Sequence, residues 1–158
     1  HLEIETYCNH RIRQIPLIID SKSLFRIEQP SAGESLVEIV FTPNREEWAD
    51  YVSRYGKTCN TLVTLGEGGL EYLSMEGGAR AQLIRPFSLP TVLDVCGAGD
   101  TVSATCGLLF HAFEKERDRT PHLELAQLTA ETSVQKFGVN PPFLHEVVDY
   151  AQEALRKA

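Results

Sequence analysis

The sequence predicts an α/β fold in which a mostly parallel sheet is flanked by helices and carries a small antiparallel hairpin. Short continuous apolar runs, typical of buried parallel strands, alternate along the chain with segments of helical apolar spacing. Glycine, proline and asparagine turns separate them. The chain has 158 residues, of which 42% are hydrophobic and 23% charged. Such a composition is ordinary for a single globular domain.

Local signals place the elements of the first half. Pro43 stops an apolar run, and Asn44 can cap the helix that follows. Three glycines within 66–69 permit a tight turn after another apolar run. The predicted elements are a helix over 2–13, strands over 15–19, 36–41 and 61–65, a polar turn over 31–34 and a helix over 45–55.

The second half is predicted from its turns in the same way. Gly77-Gly78 joins two apolar segments into an antiparallel hairpin, and Pro141-Pro142 suits the start of a last helix. The predicted elements are strands over 70–75, 81–84 and 91–94, and helices over 101–113, 123–137 and 143–155.

Charge and cysteine content exclude several classes of protein. Lys and Arg number 15 against 22 Asp and Glu, a net charge of −7, which argues against a nucleic-acid or anionic-membrane binder. No apolar run approaches the roughly 18 residues of a spanning helix. The four cysteines lack zinc spacing and the density of a disulfide scaffold, so we expect reduced thiols in a cytoplasmic protein.

Three segments come near to known motifs without satisfying them. Gly56-Lys57-Thr58 resembles the end of a phosphate-binding P-loop, but Tyr51 stands where the first glycine is required. Residues 66–71 have a Glu in the third glycine position of a dinucleotide fingerprint, and a strand follows. Residues 145–149 have an Asp in place of the second His of a zinc-protease helix.

The segment Asp94–Thr101 is the strongest candidate for chemistry. Gly97, Ala98 and Gly99 have little bulk, so their backbone N–H groups can converge on an anion at the start of a helix. Asp100 lies beside that point, where it could take a proton from a hydroxyl as phosphate is transferred to it. The residues leave a second interpretation open, in which this is a glycine turn and Asp100 caps the helix.

Five segments, in order, resemble the ribokinase-like (PfkB-type) carbohydrate kinases. Residues 94–100 resemble the signature D-T-x-G-A-G-D, and Asn44-Arg45-Glu46-Glu47 matches N-x-x-E. Residues 64–69 resemble the T-L-G-x-x-G turn, and 133–138 resemble A-V-x-x-x-G beside the adenine site. Residues 18–22 resemble the D-P-K strand end of the branch that phosphorylates heptose phosphates.

The resemblance implies the catalytic roles. Asp100 would be the general base on the acceptor hydroxyl. Gly97, Ala98 and Gly99 would form the anion hole for the transferring phosphoryl group. Asp94 would help to shape a loop for a monovalent cation, with K⁺ as the candidate.

The resemblance also implies how ATP and Mg²⁺ are bound. Asn44 and Glu47 would hold the magnesium–phosphate assembly, partly through water, because Mg²⁺ gives up water reluctantly. Thr64, Gly66 and Gly69 would line the triphosphate and ribose.

Three further residues complete the implied nucleotide site. Ser133 and Gly138 would lie near the adenine. Lys22 would reach a phosphate, although a Lys beyond a strand end is more often simply solvated.

Two features depart from the family pattern. Cys96 replaces the usual Thr, and we interpret it as a small thiol without reactivity. The stretch between Asn44 and Thr64 is shorter than in the family, so the helical region there is trimmed. Neither departure touches Asp100.

The resemblance covers only part of the family's domain. Residues 1–158 are expected to be its C-terminal nucleotide-binding part, without the N-terminal sugar pocket and lid, as if cut at His1. We therefore expect the chain alone to bind ATP–Mg²⁺ weakly and to phosphorylate sugar poorly, since positioning needs both substrates in line.

Other functions remain open on the sequence. The chain could be a non-catalytic nucleotide-binding module, a vitamin or nucleoside kinase of the same fold, or a fragment that pairs with a lid-bearing chain. The expected ligands are ATP and a sugar or sugar phosphate, and a homo-oligomer is a further candidate.

Overall fold

The computed structural model describes residues 16–20, 26–27, 38–75, 80–88, 90–113, 116 and 118–157. The strands within them are β1 (Leu17–Ile19), β2 (Ile39–Phe41), β3 (Asn60–Thr64), β4 (Leu70–Ser74) and β5 (Arg80–Ile84). The helices are α1 (Arg45–Tyr55), α2 (Ala98–Ala112), α3 (Thr120–Ser133) and α4 (Leu144–Lys157), with a 3₁₀ turn over Gly66–Gly68. The predicted helix over 2–13, the turns over 31–34 and 77–78, and Lys22 lie outside the described residues.

The strands form one mixed sheet in the order β1-β2-β3-β4-β5. The pairs β1–β2 and β2–β3 are parallel, whereas β3–β4 and β4–β5 are antiparallel. Four of the five described strands therefore run in the same direction. This confirms the predicted α/β fold with its mostly parallel sheet and its hairpin of β4 and β5.

Helices cover both faces of the sheet, because alternate side chains of each strand point to opposite sides. Val40 and Leu62 belong to the core under α2 and α3, together with Phe110 of α2. Ile39 and Phe41 belong to a second core under α1, built around Tyr51. β1 and β2 thus contribute side chains to both apolar layers.

The predicted strand over 91–94 is wrong. Leu93 and Asp94 both donate their N–H groups to the single carbonyl of Val134, at 2.8 and 3.2 Å, and pair with none of the described strands. An irregular segment attached to the end of α3 therefore leads into the glycine turn.

The helix boundaries also differ from the predicted ones. α2 begins at Ala98, so Ala98 and Gly99, which were predicted to lie in a turn before the helix, belong to its first turn. α3 begins at Thr120 with Pro121 in its first turn, and ends at Ser133. No helix among the described residues has the length and apolarity needed to cross a bilayer.

Candidate active site

The carboxyl ends of the parallel strands meet at one edge of the sheet. Thr42, just after β2, donates its N–H to Ile19 of β1 at 2.9 Å. Asn44 forms a parallel bridge with Thr64, the last residue of β3. Ser103 of α2 donates its hydroxyl to Thr42 Oγ1 at 3.0 Å, which joins α2 to the same edge. In open α/β sheets, ligands bind in the crevice outside this edge, which we call the ligand edge.

The glycine turn and the first turn of α2 form an open helix N-terminus. Gly97 is the residue before the first helical position and has a left-handed φ of 77°. A Cβ there would approach Val139 Cγ1 to 3.0 Å, so both conformation and space call for glycine. A Cβ on Gly99 would meet nothing within 4 Å. The N–H of Ala98 donates to the Val95 carbonyl at 3.3 Å.

Asp100 lies exposed in this first turn, among these N–H groups. No side chain caps the helix. Thr101 donates both its N–H and its hydroxyl back to the Gly97 carbonyl, at 2.9 and 2.8 Å, which anchors the turn. Uncapped N–H groups and the helix dipole attract an anion, and the exposed carboxylate can accept a proton beside it.

Asp94 holds two loops together. Its carboxylate accepts hydrogen bonds from the N–H of Cys96 and the N–H of Gly138, each at 2.9 Å. These contacts, with Cys96 first and Gly138 second, lower the pKa of Asp94 from its ordinary value. The structure thus brings together the two loops predicted to lie beside the adenine and the monovalent cation.

The predicted magnesium residues form a capping box at the start of α1. Asn44 Oδ1 accepts the N–H groups of Glu46 and Glu47, and Glu47 Oε2 accepts the N–H of Asn44, all at 2.9 Å. The spacing N-x-x-E is also typical of such a box. From the sequence, a capping role was predicted for Asn44 but not for Glu47.

The oxygen atoms of this box fit a magnesium ion that keeps most of its water. Asn44 and Glu47 stand beside Thr64 at the ligand edge of the sheet. Within the described ranges no three His, Cys, Asp or Glu side chains form a cage for a metal. Mg²⁺ is commonly held by one or two carboxylates and the phosphates of a substrate, so a cage is unnecessary.

The turn after β3 depends on its glycines. Gly66 and Gly69 have positive φ of 60° and 91°. A Cβ on Gly69 would lie 2.1 Å from the carbonyl oxygen of Ile84, a contact that only glycine avoids. A Cβ on Gly68 would lie 3.7 Å from the guanidinium of Arg45. Sequence reasoning missed Arg45, a cation beside the predicted triphosphate turn, because it occupies an unspecified position of N-x-x-E.

Ser133 and Gly138 are placed differently from each other. The Ser133 hydroxyl is buried and donates to Ala130 O at 2.8 Å, which closes the last turn of α3. Gly138 is exposed, has a φ of 69° and donates to Asp94. Phe137 and Val139, which flank it, are 74% and 73% exposed. Sequence reasoning passed over this apolar pair because the motif specifies only its glycine.

The cysteines of the described part of the chain are free thiols. Cys59 and Cys106 are buried and Cys96 is exposed, and burial raises the pKa of the first two. Cys96 lies two residues after Asp94 in the loop before α2, and its backbone N–H donates to the Asp94 carboxylate at 2.9 Å.

No protein-family profile and no curated protein match the chain. Solved structures do. Ribokinase from Thermotoga maritima superposes with a TM-score of 0.67 at 18% identity, over 95% of this chain and 53% of that one. A sugar kinase from Pyrococcus horikoshii superposes with a TM-score of 0.59 at 25% identity, over 76% of this chain and 40% of that one. Aminoimidazole riboside kinase from Salmonella enterica, solved with aminoimidazole riboside and an ATP analogue, superposes with a TM-score of 0.58 at 16% identity, over 73% of this chain and 42% of that one.

The fold is therefore that of the ribokinase-like kinases, as the sequence motifs indicated. The chain spans about half of the Thermotoga ribokinase and smaller shares of the other two structures.

Proposed function

We propose that the chain carries the nucleotide side and the catalytic base of an ATP-dependent kinase acting on a hydroxyl of a sugar or sugar phosphate. One observation carries the proposal. Asp100 lies exposed in the first turn of an uncapped helix, behind a glycine turn, at the ligand edge of the sheet. A site that only bound phosphate would gain nothing from a carboxylate in that position, because like charges repel.

In the proposed reaction Asp100 accepts the proton of the acceptor hydroxyl. The hydroxyl oxygen then forms a bond to the γ-phosphorus of ATP as the bond to the β-phosphate oxygen breaks, and ADP leaves. The N–H groups of Gly97, Ala98 and Gly99 stabilise the charge on the transferring phosphoryl group.

Asn44 and Glu47 would hold Mg²⁺, partly through water. When bound, the ion neutralises phosphate charge. The turn at Thr64, Gly66 and Gly69 would carry the triphosphate, close to the Arg45 guanidinium.

The adenine ring of ATP would lie against Gly138. The exposed apolar side chains of Phe137 and Val139 offer a surface for a planar ring. The hydrogen bond between Asp94 and Gly138 supports a shared loop for a monovalent cation such as K⁺.

Free thiols at Cys59, Cys96 and Cys106 support a reducing compartment such as the cytoplasm.

Replacing Asp100 with Asn tests the proposal. We expect D100N to lower the rate of phosphoryl transfer by roughly 10²–10⁴-fold, the usual contribution of a general base, and to leave the affinity for a Mg²⁺–ATP analogue nearly unchanged. Transfer is measured on a panel of sugars, sugar phosphates and nucleosides. The assay uses this chain and any longer polypeptide that contains it.

The control is D149N, which changes an exposed carboxylate of α4 that has no part in the proposed site. A D100N protein with the wild-type transfer rate would contradict the catalytic role. A wild-type protein that binds the analogue and phosphorylates no acceptor, even within the longer polypeptide, would favour a non-catalytic nucleotide-binding module.

A further inference from the structure

A carboxylate outside the proposed site is buried and fully engaged. Glu131 of α3 is 4% exposed. Its Oε1 accepts the N–H of Phe87 at 2.9 Å and the side-chain amide of Gln127 at 2.8 Å. Its Oε2 accepts the N–H of Ser88 at 3.3 Å and the hydroxyl of Tyr150 at 2.6 Å. A buried carboxylate is tolerated only where such donors replace water.

These donors come from three different parts of the fold. Phe87 and Ser88 follow β5, Gln127 lies one turn earlier on α3, and Tyr150 belongs to α4. Burial, with the hydrogen bond to Glu131, raises the pKa of Tyr150 to about 12, so its hydroxyl keeps its proton at neutral pH. Glu131 therefore joins α4 and the segment after β5 to α3.

The same helix end holds the other end of that segment. The carbonyl of Val134, three residues after Glu131, accepts the N–H groups of Leu93 and Asp94. Residues 87–88 and 93–94 are thus both attached to the end of α3. Asp94 in turn holds Cys96 and Gly138.

We propose that Glu131 is a positioning residue for the nucleotide site: it holds Phe87 and Ser88 on the end of α3, where Val134 holds Leu93 and Asp94, and thereby sets where Asp94 and the glycine turn lie. The role in nucleotide binding rests on the function proposed above. The attachment of the segment does not, and it is tested separately.

The test compares Glu131→Gln with wild type by amide hydrogen exchange of the 158-residue chain. The variant keeps the size of the side chain, but its NH₂ group faces donors that need an acceptor. Because the variant loses charge-assisted hydrogen bonds, we expect the amides of Leu93 and Asp94 to exchange roughly tenfold faster or more. The amides of Leu62 and Val63 in β3 should keep their wild-type rates.

Two further variants accompany it. Glu124→Gln changes a carboxylate on the same helix that makes none of these contacts, and should leave exchange at Leu93 unchanged. Tyr150→Phe removes one donor and leaves the carboxylate in place, so it should produce a smaller acceleration at the same amides. If Glu131→Gln does not fold, Tyr150→Phe decides the question.

Selective acceleration at 93–94 supports the proposal. Unchanged exchange there, or an equal acceleration throughout β3, overturns it, because a merely structural role would loosen the whole fold. The second measurement is affinity for a Mg²⁺–ATP analogue, which should fall several-fold in Glu131→Gln. Unchanged affinity in a variant with a loosened segment overturns the link to the site. Wild-type chain that binds no nucleotide contradicts the proposed function instead, and the exchange rates still decide the attachment.

Discussion

Asp94, Asn44 and Glu47 each use side-chain oxygens to hold backbone N–H groups. Asp94 ties the loop before α2 to Gly138, and the other two close the start of α1. A motif residue can therefore shape the loop around a ligand as well as contact the ligand. For Asp94, these hydrogen bonds can be followed by titrating the carboxylate.

The hydrogen bonds of Asp94 should appear as a pH-dependent loop. The pKa of Asp94 lies below its ordinary value of 3.8, because the N–H groups of Cys96 and then Gly138 favour the carboxylate. The contacts are therefore fully present above 3.8 and are lost as pH falls through the lower, folded-state pKa.

The measurement is an NMR titration of the Cys96 and Gly138 amides. We expect both to shift together with a midpoint below 3.8. D94N should abolish the transition. A midpoint at or above 3.8 would show that the carboxylate does not hold the loop.

Two helices of the site begin in opposite ways. α1 begins with a capping box that satisfies its N–H groups with its own side chains. α2 begins at a glycine and has no side-chain cap. Because an uncapped N-terminus leaves donors for another acceptor, the proposed anion site lies at the start of α2 and not at the start of α1.

The box at the start of α1 should contribute measurably to stability. Asn44→Ala removes the acceptor for two N–H groups and should lower the free energy of unfolding by about 1 kcal/mol. Asn44→Ser, which keeps a capping oxygen, should stay close to wild type. Denaturant unfolding gives both values.

Equal losses in the two variants would mean that the cap is not the source of the stability. Since Ser retains the cap and lacks the amide oxygen, weaker Mg²⁺-dependent nucleotide binding in an Asn44→Ser protein of wild-type stability would separate the metal role from the cap.

The whole molecule depends on helices on both faces of the sheet. Phe110 of α2 is 1% exposed, packs edge-on against Tyr72 of β4, and lies under the Arg119 guanidinium at 4.5 Å. It joins the sheet to the layer that carries the glycine turn.

Removing this ring should weaken the entire fold. Phe110→Ala is expected to lower the free energy of unfolding by about 3–5 kcal/mol, which is a large part of the total stability of a domain. Leu108→Ala, on the same helix at a side chain that is 68% exposed, serves as the control and should change little. If urea unfolding gave similar losses of free energy for Phe110→Ala and Leu108→Ala, the assigned packing would be contradicted.

Much of this architecture could be predicted from local spacing. The runs that became β1 to β5, the start of α1 after Asn44 and the glycine turn at Gly97 depend on apolar periodicity, capping and backbone sterics within a few residues. The strand over 91–94 was wrong for a related reason: an apolar run does not reveal whether a neighbouring strand is free to pair with it. There the Val134 carbonyl takes both N–H groups.

The motifs and the order of the elements thus follow from short-range rules that the amino-acid sequence contains. The partners of the motif residues do not. The bond from Gly138 to Asp94 and the bond from Phe87 to Glu131 each join residues 44 positions apart. Such pairs form only when packing of α3 against the sheet brings distant segments together, because a hydrogen bond acts over about 3 Å and no local pattern encodes that approach.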